Sequence, residues 1–449
     1  MSDAIQALTA LARAAQQSIP DDSQVATPPV PESMDDIGLP QSYVEQALLK
    51  TLYFRGDSLG RDLSTSMGIK FSLLEPAVEF LKRQHLVEVK RSLGIGNMSS
   101  HFALSENGRV HAREYLLSDS YVGPIPVPLR QYVAVVRAQR MKDDWLTQEA
   151  LEKAFSHMVV SRHVLAQLGP AVNAGKSFLI YGQPGNGKTY LAEGLFHIDT
   201  QPIFIPYAIE YQGNIVQVYD PIQHQKIEDA PPAMMAVSED AAYDGRWFRA
   251  KRPFIVSGGE LNMEMLDLSY NPASHIYDAP FQLKANNGIY LIDDFGRQRV
   301  TPTEVLNRWI VPMERRVDYL NFRSGGKMEV PFETFVVFST NLRPDQLGDE
   351  AFLRRIQYKM LVRSPDAGEF ATIFRRFCVS KGLPCEESLL ARFIEQRYTA
   401  TTKPMRRCHP RDVISHAIDL IRFERLPFVL TAEVLAEAFE SCFVQDVEQ

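Results

Sequence analysis

Residues 171–365 predict an α/β fold, a parallel sheet flanked by helices. A small helix-and-hairpin domain precedes it and an all-helical region follows it. Three observations carry that prediction. From Gly175 onward, short apolar runs alternate with amphipathic stretches, the pattern of parallel strands joined by crossover helices. Two of those runs are bounded as buried strands are: FLIY before a glycine-rich loop, and IYLI before two aspartates. Residues 366–449 show helical spacing alone, over Gly368–Cys378, Glu387–Arg397, Arg411–Glu424 and Thr431–Phe443.

Composition sets outer bounds. Hydrophobic residues are 45% and charged residues 23% of 449, a globular balance with room for several domains. No apolar run reaches the roughly 20 residues that span a bilayer, and no basic-then-apolar leader opens the chain. The expectation is a cytoplasmic chain without membrane insertion. Cys378, Cys385, Cys408 and Cys442 fit no zinc spacing and read as free thiols of a reducing compartment. A net charge of −7 excludes blanket nucleic-acid affinity but leaves room for a local basic site.

The elements follow in order. Residues 1–40 read as a disordered acidic segment, because IPDDSQVATPPVPESMDDIGLP is rich in Pro and Asp and poor in large apolar residues. Residues 41–118 give three helices, two strands around a glycine-containing turn, and a further helix from Arg109, a plan similar to a winged helix. Ten Lys/Arg stand against eight Asp/Glu there, and the third helix sets Glu75 and Glu79 beside Lys82 and Arg83. Either DNA contact or protein docking suits that surface. Residues 119–170, with YVGPIPVPLRQY, read as a proline-rich linker and connecting helices.

The glycine-rich loop runs GQPGNGKT from Gly182 to Thr189 and has the spacing G-x-x-x-x-G-K-T. Gly182, Pro184, Gly185, Asn186 and Gly187 curl the backbone so that its N–H groups converge on phosphate oxygens. The helix from Lys188, with Tyr190 in its first turn, points its positive end the same way. Lys188 adds a full charge at the β- and γ-phosphates, and the Thr189 hydroxyl is a ligand for Mg²⁺. About 100 residues on, the second strand ends in Asp293-Asp294. Asp293 would complete the Mg²⁺ shell, and Asp294 would orient or deprotonate an attacking water.

Three further stretches resemble AAA+ ATPases. FETFVVFSTNLRP is similar to their sensor strand, with Asn341 at its end. DEAFLRRIQYK stands where that family carries its arginine finger, which implies that Arg355 or Arg354 reaches the ATP of an adjacent subunit. CHPRDVISHA is similar to the second sensor, with Arg411 in a lid. Together with the loop and the paired acids, these cover residues 175–425 in the family's order. The stretches APFQLKANNGIYLIDD and VDYLNFRSGGKMEVPFETFVVFSTN look like the helix-2 insert and pre-sensor hairpin of the MoxR, ComM and enhancer-binding-protein neighbourhood. The resemblance implies ATP and Mg²⁺ as cofactors, an ATPase domain over 171–365, a lid over 366–449, and a homo-oligomeric ring, most simply of six. It also implies a macromolecular substrate, touched by Phe322, Arg323 and Lys327 at the hairpin tip. That substrate is a protein or, alternatively, DNA held through residues 41–118 or 246–252.

Two departures stand out. Asp294 replaces the Glu of most relatives, so its carboxylate retreats by roughly 1.5 Å, about one C–C bond. Residues 205–255 form an insertion. It holds a hairpin with a Gln-Gly-Asn turn and the basic, aromatic run GRWFRAKRP. That run suits either a nucleic-acid strand or a core-edge or inter-subunit segment.

Overall fold

The computed structural model describes residues 27–92, 96–141, 146–198, 200–227, 242–348 and 353–443. At its centre lies a five-stranded parallel sheet built from β1 (Phe178–Tyr181), β2 (Phe254–Ser257), β3 (Ile289–Ile292), β4 (Phe335–Thr340) and β5 (Tyr358–Leu361). Their spatial order is β2-β3-β4-β1-β5, and every pairing is parallel. Alternation along the strands feeds two cores. Phe178, Ile180, Leu291, Phe335 and Val337 pack on one face with Leu168 and Ala192. Leu179, Tyr290, Ile292, Val336 and Phe338 pack on the other with Trp309. Burial on both faces explains why these strands read as continuous apolar runs rather than alternating ones. The fold is therefore α/β with a helix-flanked parallel sheet.

A second five-stranded sheet was not legible in the sequence. Its order is Ser269–Asn271, Ile276–Asp278, Asn214–Gln217, Ala208–Tyr211 and Val127–Pro128. The expected hairpin sits at its centre, and Gln212 (φ 50°) and Gly213 (φ 79°) make a left-handed two-residue turn. Three expectations change here. Residues 119–138 are not a linker: Val127 pairs in parallel with Ile209, and the helix Leu129–Ala138 buries Tyr132 and Val136 in this sheet's core. The hairpin Val317–Asn321/Lys327–Pro331 turns Phe322 inward, 4% exposed and edge-on to Tyr277 at 4.9 Å, so Phe322 is no free contact residue. Arg323 lies over Tyr270, 5.5 Å from its centroid. In the basic run, Arg246, Trp247 and Phe248 are buried, because Trp247–Ala250 pairs with Ile203–Pro206. That removes the aromatics a nucleic-acid strand would stack on, and the core-edge reading holds.

Residues 41–118 fold as helices Gln41–Arg55, Gly60–Met67 and Phe71–Arg83, a three-stranded antiparallel sheet, and the helix Glu106–Ser118. The expected acidic segment is ordered from residue 27: Ser33 caps the turn Met34–Ile37 and Ile37 is fully buried. Residues 1–26 lie outside the described residues. The C-terminal region is all-helical, with Ala367–Ser380, Glu387–Ile394, His409–Glu424 and Ala432–Cys442 around one core. All four cysteines are free thiols. Among the described residues no helix is long and apolar enough to cross a membrane.

Candidate nucleotide site

The site lies where β1, β3 and β4 end. β1 delivers the chain into Gly182, whose φ of 148° suits glycine. A Cβ there would meet the Val362 carbonyl oxygen at 2.4 Å, so β5 and the loop approach too closely for any side chain. Gly185 has φ 77°, and a Cβ on it would lie 2.7 Å from Cys408 Sγ. One close backbone approach, at Gly182, and one close side-chain contact, at Gly185, thus hold the loop. Asn186 is 1% exposed; its Nδ2 donates to Ser364 Oγ at 3.3 Å, while its Oδ1 has no partner among the described residues. Pro184 and Tyr190 lie at the solvent edge.

The helix Lys188–Gly194 starts beneath this loop. Lys188 is 6% exposed, and its Nζ donates to Asn341 Oδ1 (2.6 Å) and to the Gln183 carbonyl (3.1 Å). Burial pushes its pKa down, and Asp294 and Asp293 oppose that shift by favouring the ammonium. Asn341 Nδ2 donates to Asp294 Oδ1 at 3.0 Å, so one amide bridges the cation and the second acid. Thr189 Oγ1 donates to Asp293 Oδ2 at 2.8 Å and Oδ1 at 3.0 Å. Adjacent ligands of an octahedral Mg²⁺ stand roughly 2.9 Å apart, so this pair of hard oxygens fits that ion.

The acid tip is rigid. Phe295 N donates to Ser339 O (2.7 Å), Thr340 Oγ1 to Phe295 O (2.6 Å), and Gln298 Nε2 to Asp293 O (2.8 Å). Asp294 itself is left-handed, φ 49°, a conformation that Asp and Asn adopt more readily than other side chains. Nothing in the local residues announced that backbone.

The remaining expected residues lie elsewhere. Arg355 Nε pairs with Glu314 Oε1 at 3.0 Å. Its carbonyl accepts from Ser177, just ahead of β1. That puts Arg354 and Arg355 at the opposite end of the sheet from the loop. Arg411 pairs with Asp412 at 2.9 Å and its side chain is 64% exposed. The residues of the C-terminal helical region that lie against the loop are Arg406, Arg407 and Cys408, which sequence reasoning missed. Cys408 N donates to Gly185 O (2.9 Å), Arg406 Nη1 to Ser364 Oγ (2.7 Å), and Arg407 to Val159 O (3.0 Å) and Glu369 Oε2 (2.8 Å). The signal was present as adjacent arginines just ahead of a predicted lid helix.

Residues 366–441 match a family described as a domain of unknown function, DUF8689. No curated protein matches the sequence. NtrX from Brucella abortus is similar over 71% of this chain at 14% identity and TM-score 0.38, and this chain spans 63% of NtrX. A Thermotoga maritima RuvB variant is similar over 67% of this chain and 73% of its own, at 13% identity and TM-score 0.34. Domain III of the Thermotoga maritima replication initiation protein DnaA is similar over 65% and 96%, at 14% identity and TM-score 0.35.

Proposed function

We propose that this protein is an AAA+-type ATPase that couples Mg-ATP binding and hydrolysis to remodelling of a macromolecule, most simply a protein. The observation that carries the reading is the convergence of Lys188, Thr189, Asp293, Asp294 and Asn341 at the ends of three parallel strands. The loop amides and Lys188 grip the β- and γ-phosphates, the γ-phosphate replacing Asn341 as the partner of the ammonium. Thr189 and Asp293 hold Mg²⁺, which neutralises phosphate charge when bound. Asp294 takes the proton of a water that Asn341 helps to orient. The water oxygen bonds to the γ-phosphorus as the bond to the β-γ bridging oxygen breaks, leaving ADP and phosphate.

Arg406 and Arg407 stand over the loop, just ahead of the helix His409–Glu424, and link nucleotide state to lid angle, with Arg411 in that helix's first turn. Arg354 and Arg355 face away from their own loop, which supports a role in a neighbouring protomer's site and thus a homo-oligomeric ring of about six. The protein-directed reading is preferred over a DNA-directed one because the exposed face of the helix Phe71–Arg83 carries Glu75 and Glu79, both accepting from Asn97. Glu79 also pairs with Lys82 at 2.7 Å, so the face is mixed in charge and offers no basic stripe to phosphates. An ATPase assay with and without duplex DNA tests both parts. Mg-dependent turnover unchanged by DNA is expected. No turnover contradicts the enzyme, and DNA stimulation that is lost on deleting residues 1–120 transfers the reading to DNA.

A further inference from the structure

At the end of the sheet opposite the phosphate loop, where β2, β3 and β4 begin, lies a cavity of about 70 Å³. Its polar side holds Arg140, Arg252, Arg316 and Glu333, and its apolar side includes Phe196 and Phe254. Glu333 is the one carboxylate among the described residues lining it, against three guanidiniums. It stands 3.6 Å from Arg140, and burial raises its pKa. Arg252 Nη1 donates to the Asn287 carbonyl (2.7 Å) and Nη2 to the Gln139 carbonyl (3.1 Å). Its Nε is buried with no partner among the described residues, and burial draws the guanidinium down to about 10. Arg316 Nη2 donates to another neutral acceptor, the Gly175 carbonyl, at 2.7 Å.

A sheltered cation whose hydrogen-bond partners are neutral carbonyls is costly to keep unless an anion balances its charge. The cavity opposite that cation is small and walled by rings. An inorganic oxyanion would satisfy the charge and leave the apolar wall unused.

We propose that this cavity is a binding site for a small organic carboxylate, its head on Arg252 and its short apolar tail against Phe196 and Phe254. Arg252, Arg316 and Arg140 supply the positive charge that draws the head group, against the single carboxylate of Glu333. The site lies beyond the far end of the helix that begins at Lys188, so it is separate from the nucleotide site and does not depend on that assignment.

Isothermal titration of the full chain with acetate, propionate and butyrate tests this, with butyramide and inorganic phosphate alongside. Binding that strengthens with tail length, and none with neutral butyramide, is expected. Arg252→Gln, which removes the charge, should weaken butyrate by about tenfold or more. Phe196→Ala, at a ring 45% exposed, should erase the tail-length preference while the fold survives. Flat isotherms in the wild type would overturn the site. So would phosphate binding in preference to butyrate, or butyramide binding as tightly as butyrate.

Discussion

At the residue scale the informative position is Asp294. A glutamate there would reach further, but it would also have to hold φ near 49°, which costs longer side chains about 1–2 kcal/mol. Aspartate tolerates that backbone, and Asn341 fixes its carboxylate. Asp294→Asn keeps both the backbone preference and the shape and removes only the base. It should retain Mg-ATP binding and lower turnover by roughly 100-fold or more, read from steady-state phosphate release. Unchanged turnover would remove Asp294 from the role of base. The nearness of Lys188, Thr189 and the two acids was legible because each follows a buried apolar strand whose end the sequence marks. The left-handed turn at Asp294 was not, since Asp-Asp-Phe-Gly is compatible with several turns. Nor was the lid contact, because Arg406 and Arg411 differ only in where the helix begins.

At the element scale the phosphate loop is held by its neighbours rather than by its own bonds. Gly185→Ala would force φ 77° on a residue with a Cβ and drive that Cβ into Cys408. The expected outcome is a loss of about 2 kcal/mol or more in thermal unfolding, together with weakened nucleotide binding as the lid contact opens. The lid helix carries a second test. His409, beside Tyr398, Asp412, Arg406 and Lys403, is drawn down to about 4 mainly by burial. Its unfolded value is about 6.5, so between those pH values the unfolded chain binds the proton and the folded one does not. Stability is therefore full above pH 6.5 and falls as the pH drops toward 4. His409→Gln should flatten that part of the melting-temperature profile. The lid helices were legible from their spacing. The second sheet was not: its strands are two to four residues long and come from three separated stretches, so no local period announces it.

At the scale of the whole molecule, the turn ahead of the strand Trp247–Ala250, which packs into the second sheet's core, joins the N-terminal domain to it. Arg246 is 1% exposed and pairs with Asp244 at 2.8 Å. It also donates to the Ile37 carbonyl (2.9 Å) and Gln131 Oε1 (3.0 Å). Gly68 packs against Gly245 so closely that a Cβ would stand 2.6 Å from its carbonyl oxygen. Arg246→Ala would strand a buried carboxylate and should cost about 3–5 kcal/mol. Limited proteolysis should then cut between residues 119 and 127, where the wild-type chain resists. An unaltered digest would mean that the two parts are held by other contacts.

The account as a whole rests on one pocket gripping a triphosphate. Titration of Mg-ATP into the full chain and into Lys188→Ala tests it most directly. The wild type should bind saturably, and removing the ammonium should weaken binding by about 100-fold or more. No binding by the wild type, or equal binding by the two proteins, would contradict it.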